Sequence, residues 1–283
     1  MLEADIIRPS NSNWCSPAFL IKKKAELPHL LAEKKGETAI AREEKPIDTS
    51  QSRIIVDLRG VNRRTIISKF PLPDLVTLMA GLGNAKLICQ FDFTSAYYQL
   101  PVSEEHRHKT AFAACSGLYE FNVVPLGCAG GPASFCLLAQ KVLRGMIPEK
   151  AVIYLDDALV YGNSFEQVME NLREFFTRIA NAKLKLKWRK CSFFQSEISY
   201  LGYQISSRGV RPDPANIEKV KNFPTVANAK EARRFVALCA YYKRLIKDFS
   251  QLTEPLNALQ RKNIPFSWTD HHQECFEKLR DAL

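Results

Sequence analysis

The chain contains no Cys-x-x-Cys spacing, although it carries eight cysteines, at positions 15, 89, 115, 128, 136, 191, 239 and 275. That absence removes the usual structural zinc and dithiol motifs. Several of these cysteines sit in apolar runs and read as reduced core residues of an intracellular protein. No apolar run reaches membrane-spanning length, and Met1-Leu2-Glu3-Ala4-Asp5 lacks the basic and apolar regions of a signal peptide. There is no internal repeat and no low-complexity tract. His106 and His108, and His271-His272 with Cys275, have no completing ligands nearby, so surface or helix positions are expected for them. Positive charge, by contrast, is in excess. Lys and Arg number 40 against 30 acids, a net charge of +10 that favours a polyanionic partner, most simply nucleic acid. The length of 283 residues, 46% of them hydrophobic, suffices for a large core and more than one lobe.

Along the chain, residues 1–205 read as mixed α/β and residues 206–283 as mainly helical. A short strand is expected to end in Lys22-Lys23-Lys24. Residues 25–52 are polar, mixed in charge and without apolar period, and read as a surface insertion. A strand pattern resumes at Arg53-Ile54-Ile55-Val56, and Pro71-Leu72-Pro73 opens a helix. Leu87 to Phe93 reads as a strand. Pro132 to Arg144 reads as a helix with Phe135, Leu138, Ala139, Val142 and Leu143 on one face. Ser164-Phe165-Glu166-Gln167 and Asn228 to Glu231 are capping-box starts. Lys183-Leu184-Lys185-Leu186-Lys187-Trp188-Arg189 alternates, which predicts a strand with Leu184, Leu186 and Trp188 on one side and the cations on the other. Ser199 to Ile205 reads as one further strand, Asp213-Pro214 opens a helix, and Thr269 caps a last one.

The chemistry centres on Ile153-Tyr154-Leu155-Asp156-Asp157-Ala158-Leu159-Val160-Tyr161. Two carboxylates between two apolar, β-prone runs predict strand, tight turn, strand. Unpaired charge is costly at the tip of a buried hairpin, and a hard cation such as Mg²⁺ relieves it. An exposed Asp-Asp turn is the bland alternative. Asp92, at the end of the apolar strand Leu87 to Phe93, supplies a third strand-borne carboxylate. Two metal ions ~3.5–4 Å apart need several carboxylates converging on one point, one ion activating a 3′-hydroxyl and the other holding a triphosphate.

The Asp92 motif, Thr110-Ala111-Phe112, Pro125-Leu126-Gly127, Pro132-Ala133-Ser134-Phe135, Tyr154-Leu155-Asp156-Asp157 and Tyr200-Leu201-Gly202-Tyr203 follow one another in that order. In this the chain resembles the reverse transcriptase domain of gypsy-class LTR retrotransposons, part of a Pol polyprotein. Ile7-Arg8-Pro9-Ser10-Asn11-Ser12, Arg53 to Asn62, Phe70-Pro71-Leu72-Pro73, Val210 to Pro214, Tyr241-Tyr242-Lys243-Arg244 and Phe266-Ser267-Trp268 extend the likeness to all but residues 25–52.

The resemblance implies an α+β right-hand polymerase, with fingers, a palm of antiparallel sheet plus helices, and a mainly helical thumb. Fingers and palm would occupy 1–205, with 25–52 as an insertion in the fingers. The thumb, and the start of a connection toward a ribonuclease H domain, would occupy 206–283. It implies RNA-directed DNA polymerase activity on an RNA or DNA template with primer and deoxynucleoside triphosphates. Asp92, Asp156 and Asp157 would be the catalytic carboxylates and ligands of two Mg²⁺ ions, Mn²⁺ being a substitute. Lys23 and Arg53 would reach the triphosphate. Tyr97 would lie beneath the incoming sugar and exclude a ribose 2′-hydroxyl, a core aromatic being the alternative. Leu126 and Gly127 would pack near the nucleotide, and Leu201, Gly202 and Tyr203 would form the primer grip.

The segment before Pro132 departs from the family pattern of Leu-Lys-Asn-Ala and reads Cys128-Ala129-Gly130-Gly131. Partners implied are the ribonuclease H and integrase domains of a parent polyprotein, in cytoplasm or virus-like particle, with no membrane. Neither a ribonuclease H carboxylate set after residue 206 nor an aspartic protease segment before residue 6 is expected. Two other readings stand beside this one. The first is a decayed or domesticated fragment that only binds nucleic acid. The second is an RNA-directed RNA polymerase, against which Tyr97 argues.

Overall fold

A computed structural model describes residues 1–22, 52–67, 81–82, 85–114, 116–260 and 265–283. The expected insertion at 25–52, the helix opened by Pro71, and Lys23 fall largely or wholly outside the described residues. The chain divides into two compact units, the first made of Met1–Asp74, Gln90–Val160 and Glu170–Ser192, the second of Leu75–Cys89, Tyr161–Met169 and Phe193–Leu283.

Short runs of β-branched and aromatic residues, cut by Pro and Gly, fold as antiparallel strands. β1 (Ile7–Pro9), β5 (Phe112–Ala114) and β6 (Gly117–Phe121) form a sheet of order β1-β6-β5. β2 (Ala18–Lys22) and β3 (Ser52–Val56) form a two-stranded ribbon in which Ile21 pairs with Arg53. Arg53 therefore lies on the expected strand. β4 (Leu87–Asp92), β7 (Ala151–Tyr154), β8 (Asp157–Gly162) and β9 (Ser192–Gln195) form a sheet of order β7-β8-β4-β9. β10 (Glu197–Tyr200), β11 (Tyr203–Ser206) and β12 (Gly209–Pro212) make the last sheet.

Among the described residues the helices with stated bounds are α1 (Arg59–Asn62), α2 (Glu104–Arg107), α3 (Gly131–Val142), α4 (Phe165–Asn181), α5 (Pro214–Lys221), α6 (Ala229–Ala240), α7 (Phe249–Ala258) and α8 (Asp270–Asp281). Their starts follow the sequence signals. The Asp213 side chain accepts from Ala215 N at 2.9 Å, and that of Asn228 accepts from Glu231 N at 3.0 Å. His272 is a capping group, since its Nδ1 accepts from Thr269 N at 3.1 Å. Among the described residues no helix is long and apolar enough to cross a membrane.

In the first unit Phe91 stacks on Phe175 with ring centroids 4.9 Å apart, and Phe93 meets Phe135 edge-on at 5.3 Å. The N-terminal segment is pinned by a buried carboxylate. Arg8 Nε donates to Glu120 Oε1 at 2.8 Å and Ser10 Oγ donates to Glu120 Oε2 at 2.5 Å. Burial alone would raise the Glu120 carboxyl, but these two donors outweigh it and hold it below the usual range. The second unit packs Val220, Phe235, Cys239, Leu256, Phe276 and Leu279 into a helical core.

Two expectations are corrected. Ser199 to Ile205 is not one strand. Leu201 and Gly202 both take positive φ, +47° and +73°, and Tyr200 pairs with Tyr203, so the segment turns back as a hairpin. Nor does Trp188 face the same side as Leu184 and Leu186. The extended run ends at an antiparallel bridge between Leu186 and Phe93, residues Trp188–Lys190 coil into a 3-10 turn, and the indole is 68% exposed.

Candidate active site

The apolar runs flanking Asp156-Asp157 form β7 and β8, and Ile153, Ala158, Leu159 and Val160 are buried. Tyr154 pairs with Asp157, which leaves Leu155 and Asp156 as a two-residue turn. Leu155 has φ +56°, a conformation that costs a bulky side chain about 1–3 kcal/mol and persists where its surroundings impose it. The turn resolves a geometric difficulty. Adjacent residues on a strand point to opposite faces, so two neighbouring aspartates serve one centre only if a turn separates them. Here Asp156 is exposed on the turn and Asp157 is half-buried at the start of β8.

Asp92 is the last residue of β4, and the next residue joins the hairpin tip, with Phe93 N donating to the Asp156 carbonyl at 3.0 Å. The structure thus brings together the three carboxylates singled out in the sequence. Their proximity is felt electrostatically. Burial first, then repulsion from Asp156 and Asp92, raises the Asp157 carboxyl to about 6, against the pull of Lys190. Lys190 Nζ lies 3.7 Å from Asp92 Oδ2.

Asp92 is braced by contacts that the sequence did not show. Lys187 N donates to its carbonyl at 2.8 Å. The Gln99 amide donates to the carbonyls of Thr94 at 2.6 Å and Lys185 at 3.0 Å, and its Oε1 accepts from Lys185 N at 2.7 Å. One side chain thereby ties Lys185 to Thr94, two residues past the end of the strand that carries Asp92.

Clustered, mutually repelling carboxylates suit a divalent cation. Among the described residues no three His, Cys, Asp or Glu side chains close into a cage of their own.

Tyr97 sits half-buried in the 3-10 turn Ala96–Gln99. Its hydroxyl is pushed up by burial first and then by the Asp156 charge. Gly131, at the start of α3, lies under its ring, and a Cβ there would touch Tyr97 Cγ at 3.5 Å. Of the two glycines that depart from the family pattern, Gly131 therefore lies next to Tyr97. Tyr98, equally half-buried, stacks on Phe121 with centroids 6.3 Å apart. Leu126 and Gly127 are exposed, and Gly127 has φ +90°. Asn62, also unflagged, holds that loop: its Nδ2 donates to the Gly127 carbonyl at 2.8 Å and its Oδ1 accepts from Ala129 N at 2.9 Å. Arg53 is placed by its backbone on β3, while Lys23 lies outside the described residues.

In the second unit, Leu201 and Gly202 form the turn between β10 and β11, and Tyr203 opens β11. The three residues singled out for a primer grip are thus contiguous on one hairpin tip.

Comparison with known proteins agrees with this picture. The family model described as reverse transcriptase (RNA-dependent DNA polymerase) matches residues 33–205, more than half of the chain. Over its whole length the chain is 33% identical to the retrovirus-related Pol polyprotein from transposon 412 of Drosophila melanogaster, of which it spans 21%. It is 27% identical to the Pol polyprotein from transposon gypsy of the same organism, spanning 27% of it. The chain therefore covers roughly a quarter of these relatives' length. In fold it is similar to a foamy viral protease-reverse transcriptase in complex with double-stranded DNA, with a TM-score of 0.81 at 18% identity over 99% of this chain and 45% of that one. A foamy viral protease-reverse transcriptase in complex with an RNA/DNA hybrid gives a TM-score of 0.77 at 18% identity, over 99% of this chain and 35% of that one. The α+β right-hand polymerase fold, the collinear motifs and the family match lead to one assignment: the chain belongs to the reverse transcriptase family.

Proposed function

We propose that the chain extends a primer on an RNA or DNA template with deoxynucleoside triphosphates. The observation that carries this reading is the join between Phe93 N and the Asp156 carbonyl, which sets the Asp156-Asp157 turn beside Asp92. Asp92 and Asp156 would be the principal ligands of two Mg²⁺ ions, or of Mn²⁺, with Asp157 as the more tolerant neighbour. When bound, the ions would activate the primer 3′-hydroxyl and neutralise charge on the triphosphate and leaving pyrophosphate.

The remaining work falls to side chains that position and select. Tyr97 would stack its ring under the deoxyribose and collide with a 2′-hydroxyl. The exposed Leu126-Gly127 loop, braced by Asn62, would support the nucleotide. Lys23 and Arg53 would contact the triphosphate, and Leu201, Gly202 and Tyr203 would hold the primer end. On this reading residues 1–205 serve as fingers and palm. Residues 206–283 serve as thumb and as the start of the connection to a ribonuclease H domain, with an integrase domain elsewhere in the same polyprotein, in cytoplasm or virus-like particle.

The experiment is extension of a DNA primer on an RNA template with Mg²⁺, comparing deoxy- and ribonucleoside triphosphates for wild type and Tyr97→Ala. Wild type should discriminate strongly against ribonucleotides, and Tyr97→Ala should relax that preference by about 10- to 100-fold. Equal use of both substrates by wild type would overturn the assignment of substrate. Retained duplex binding with no extension at all would favour a fragment that only binds nucleic acid.

A further inference from the structure

A two-residue hairpin turn leaves the carbonyls of its two central residues outside the strand ladder, and such groups need partners from elsewhere. At Leu201-Gly202 those partners come from the residue just before α5 and from the two that follow α6. Tyr241 Oη donates to the Leu201 carbonyl at 2.5 Å, and Tyr242 Oη donates to the Gly202 carbonyl at 2.6 Å. Gly202 O also accepts from Asp213 N at 2.9 Å, just before α5. Adjacent hydroxyls at the C-terminal end of α6 thus cap adjacent carbonyls of the turn. Asn216 Nδ2 donates to Tyr242 Oη at 3.1 Å, and Tyr203 Oη returns a bond to the Tyr241 carbonyl at 3.2 Å.

The fit is close on the other side as well. A Cβ at Gly202 would come within 3.2 Å of Asn216 Nδ2, Tyr241 Cε1 and Tyr242 Oη. The three tyrosine rings pack on one another, with centroids of Tyr203 and Tyr242 5.3 Å apart and of Tyr241 and Tyr242 5.0 Å apart. Packing alone would be served as well by phenylalanine. The hydroxyls are what reach the turn.

We infer that Tyr241 and Tyr242, with Asn216 behind Tyr242, are positioning residues that fix the Leu201-Gly202 turn and thereby set where a primer 3′ end is held. This rests on the polymerase reading above and adds to it three residues outside the carboxylate centre. It also predicts that the turn is a latched element, not a free hairpin tip.

The test replaces both hydroxyls, Tyr241→Phe with Tyr242→Phe, in the full chain. Three quantities are measured: the single-turnover rate of extension from a paired primer, affinity for the primer–template duplex, and hydrogen exchange across residues 197–206. The rate should fall by about 10- to 30-fold, because small displacements of a reacting group are costly. Duplex affinity should change by less than about threefold, and the turn amides should exchange faster. A rate within about twofold of wild type with unchanged exchange overturns the inference while leaving the polymerase reading intact. Should the double variant not fold, Asn216→Ala keeps both hydroxyls and removes only the brace. A loss of about threefold in rate then supports the latch, and no loss overturns it. If wild type extends no primer, the polymerase reading fails. The exchange measurement then decides the latch by itself: faster exchange supports it and unchanged exchange overturns it.

Discussion

The two hairpins that matter most are built on the same plan and held in opposite ways. Each has a two-residue turn whose first residue is a leucine in the left-handed region, Leu155 at φ +56° and Leu201 at φ +47°. The β7–β8 turn carries acidic charge and joins its neighbour strand through Phe93 N. Burial first, then repulsion from Asp156 and Asp92, raises its Asp157 carboxyl to about 6. The β10–β11 turn carries no acid, and its carbonyls are capped by Tyr241 and Tyr242. On the function proposed above, a cation would relieve the charge of the first hairpin, while the carbonyls of the second are met by protein hydroxyls. The first would then serve the chemistry and the second the holding of a primer end.

The comparison breaks most sharply at the carboxylates. Asp92→Asn and Asp156→Asn should each lower extension by about a thousandfold or more while leaving duplex affinity nearly unchanged, with Asp157→Asn losing less. Equal loss for Asp156→Asn and Asp157→Asn in single-turnover assays would contradict the ranking of the two. At the other turn, Gly202→Ala adds a side chain at φ +73° against three groups at 3.2 Å. It should cost about 1–3 kcal/mol of stability, read by denaturant unfolding, and slow extension by about tenfold. No change in either quantity would mean the turn tolerates displacement.

A subtler effect separates the hairpins by pH. Asp157 has its carboxyl raised from 3.8 to about 6 in the folded protein. Stability from this group is therefore full below about pH 4 and is lost as pH rises through about 6. In chelator, Asp157→Asn should melt about 2–4 °C above wild type at pH 7.5, with the gain vanishing near pH 4. Mg²⁺ should raise the melting temperature of wild type and not that of the variant by as much. A lower melting temperature for Asp157→Asn at pH 7.5 would show that the cost of the buried, repelled Asp157 carboxylate does not govern stability there. The smallest effect is expected at Asn62. Asn62→Ala should raise the KM for nucleotide by about three- to tenfold with little change in kcat, since it only braces the Gly127 loop.

The same pair of hairpins shows where the sequence is legible. β7–β8 was readable because two carboxylates interrupt apolar runs, and a charged pair there has no other place to go than a turn. β10–β11 read as one strand because Leu201 is a poor turn residue and Gly202 alone is a weak signal. Only the pairing of Tyr200 with Tyr203 reveals the reversal. The strands and helices of the core followed their apolar periods, as Phe135 and Ala139 of α3 illustrate. Trp188 did not, because Lys187 N bonds the Asp92 carbonyl and the chain then coils, a tertiary contact that local alternation does not encode. Gln99 and Asn62 escaped notice for a related reason. Each bonds backbone groups far away in sequence, Lys185 in one case and Gly127 in the other. Tyr241 and Tyr242 entered through the family likeness, which does not show where a hydroxyl points.

The central claim is that Asp156, set beside Asp92 by the β7–β8 turn, holds the metal on which DNA synthesis depends. The most direct measurement is a Mg²⁺ titration of primer extension on an RNA template, with wild type and Asp156→Asn side by side at matched duplex occupancy. The account predicts metal-dependent extension by wild type and a loss of about a thousandfold or more in the variant at every Mg²⁺ concentration. Extension by Asp156→Asn at the wild-type rate, with the same Mg²⁺ dependence, would contradict it.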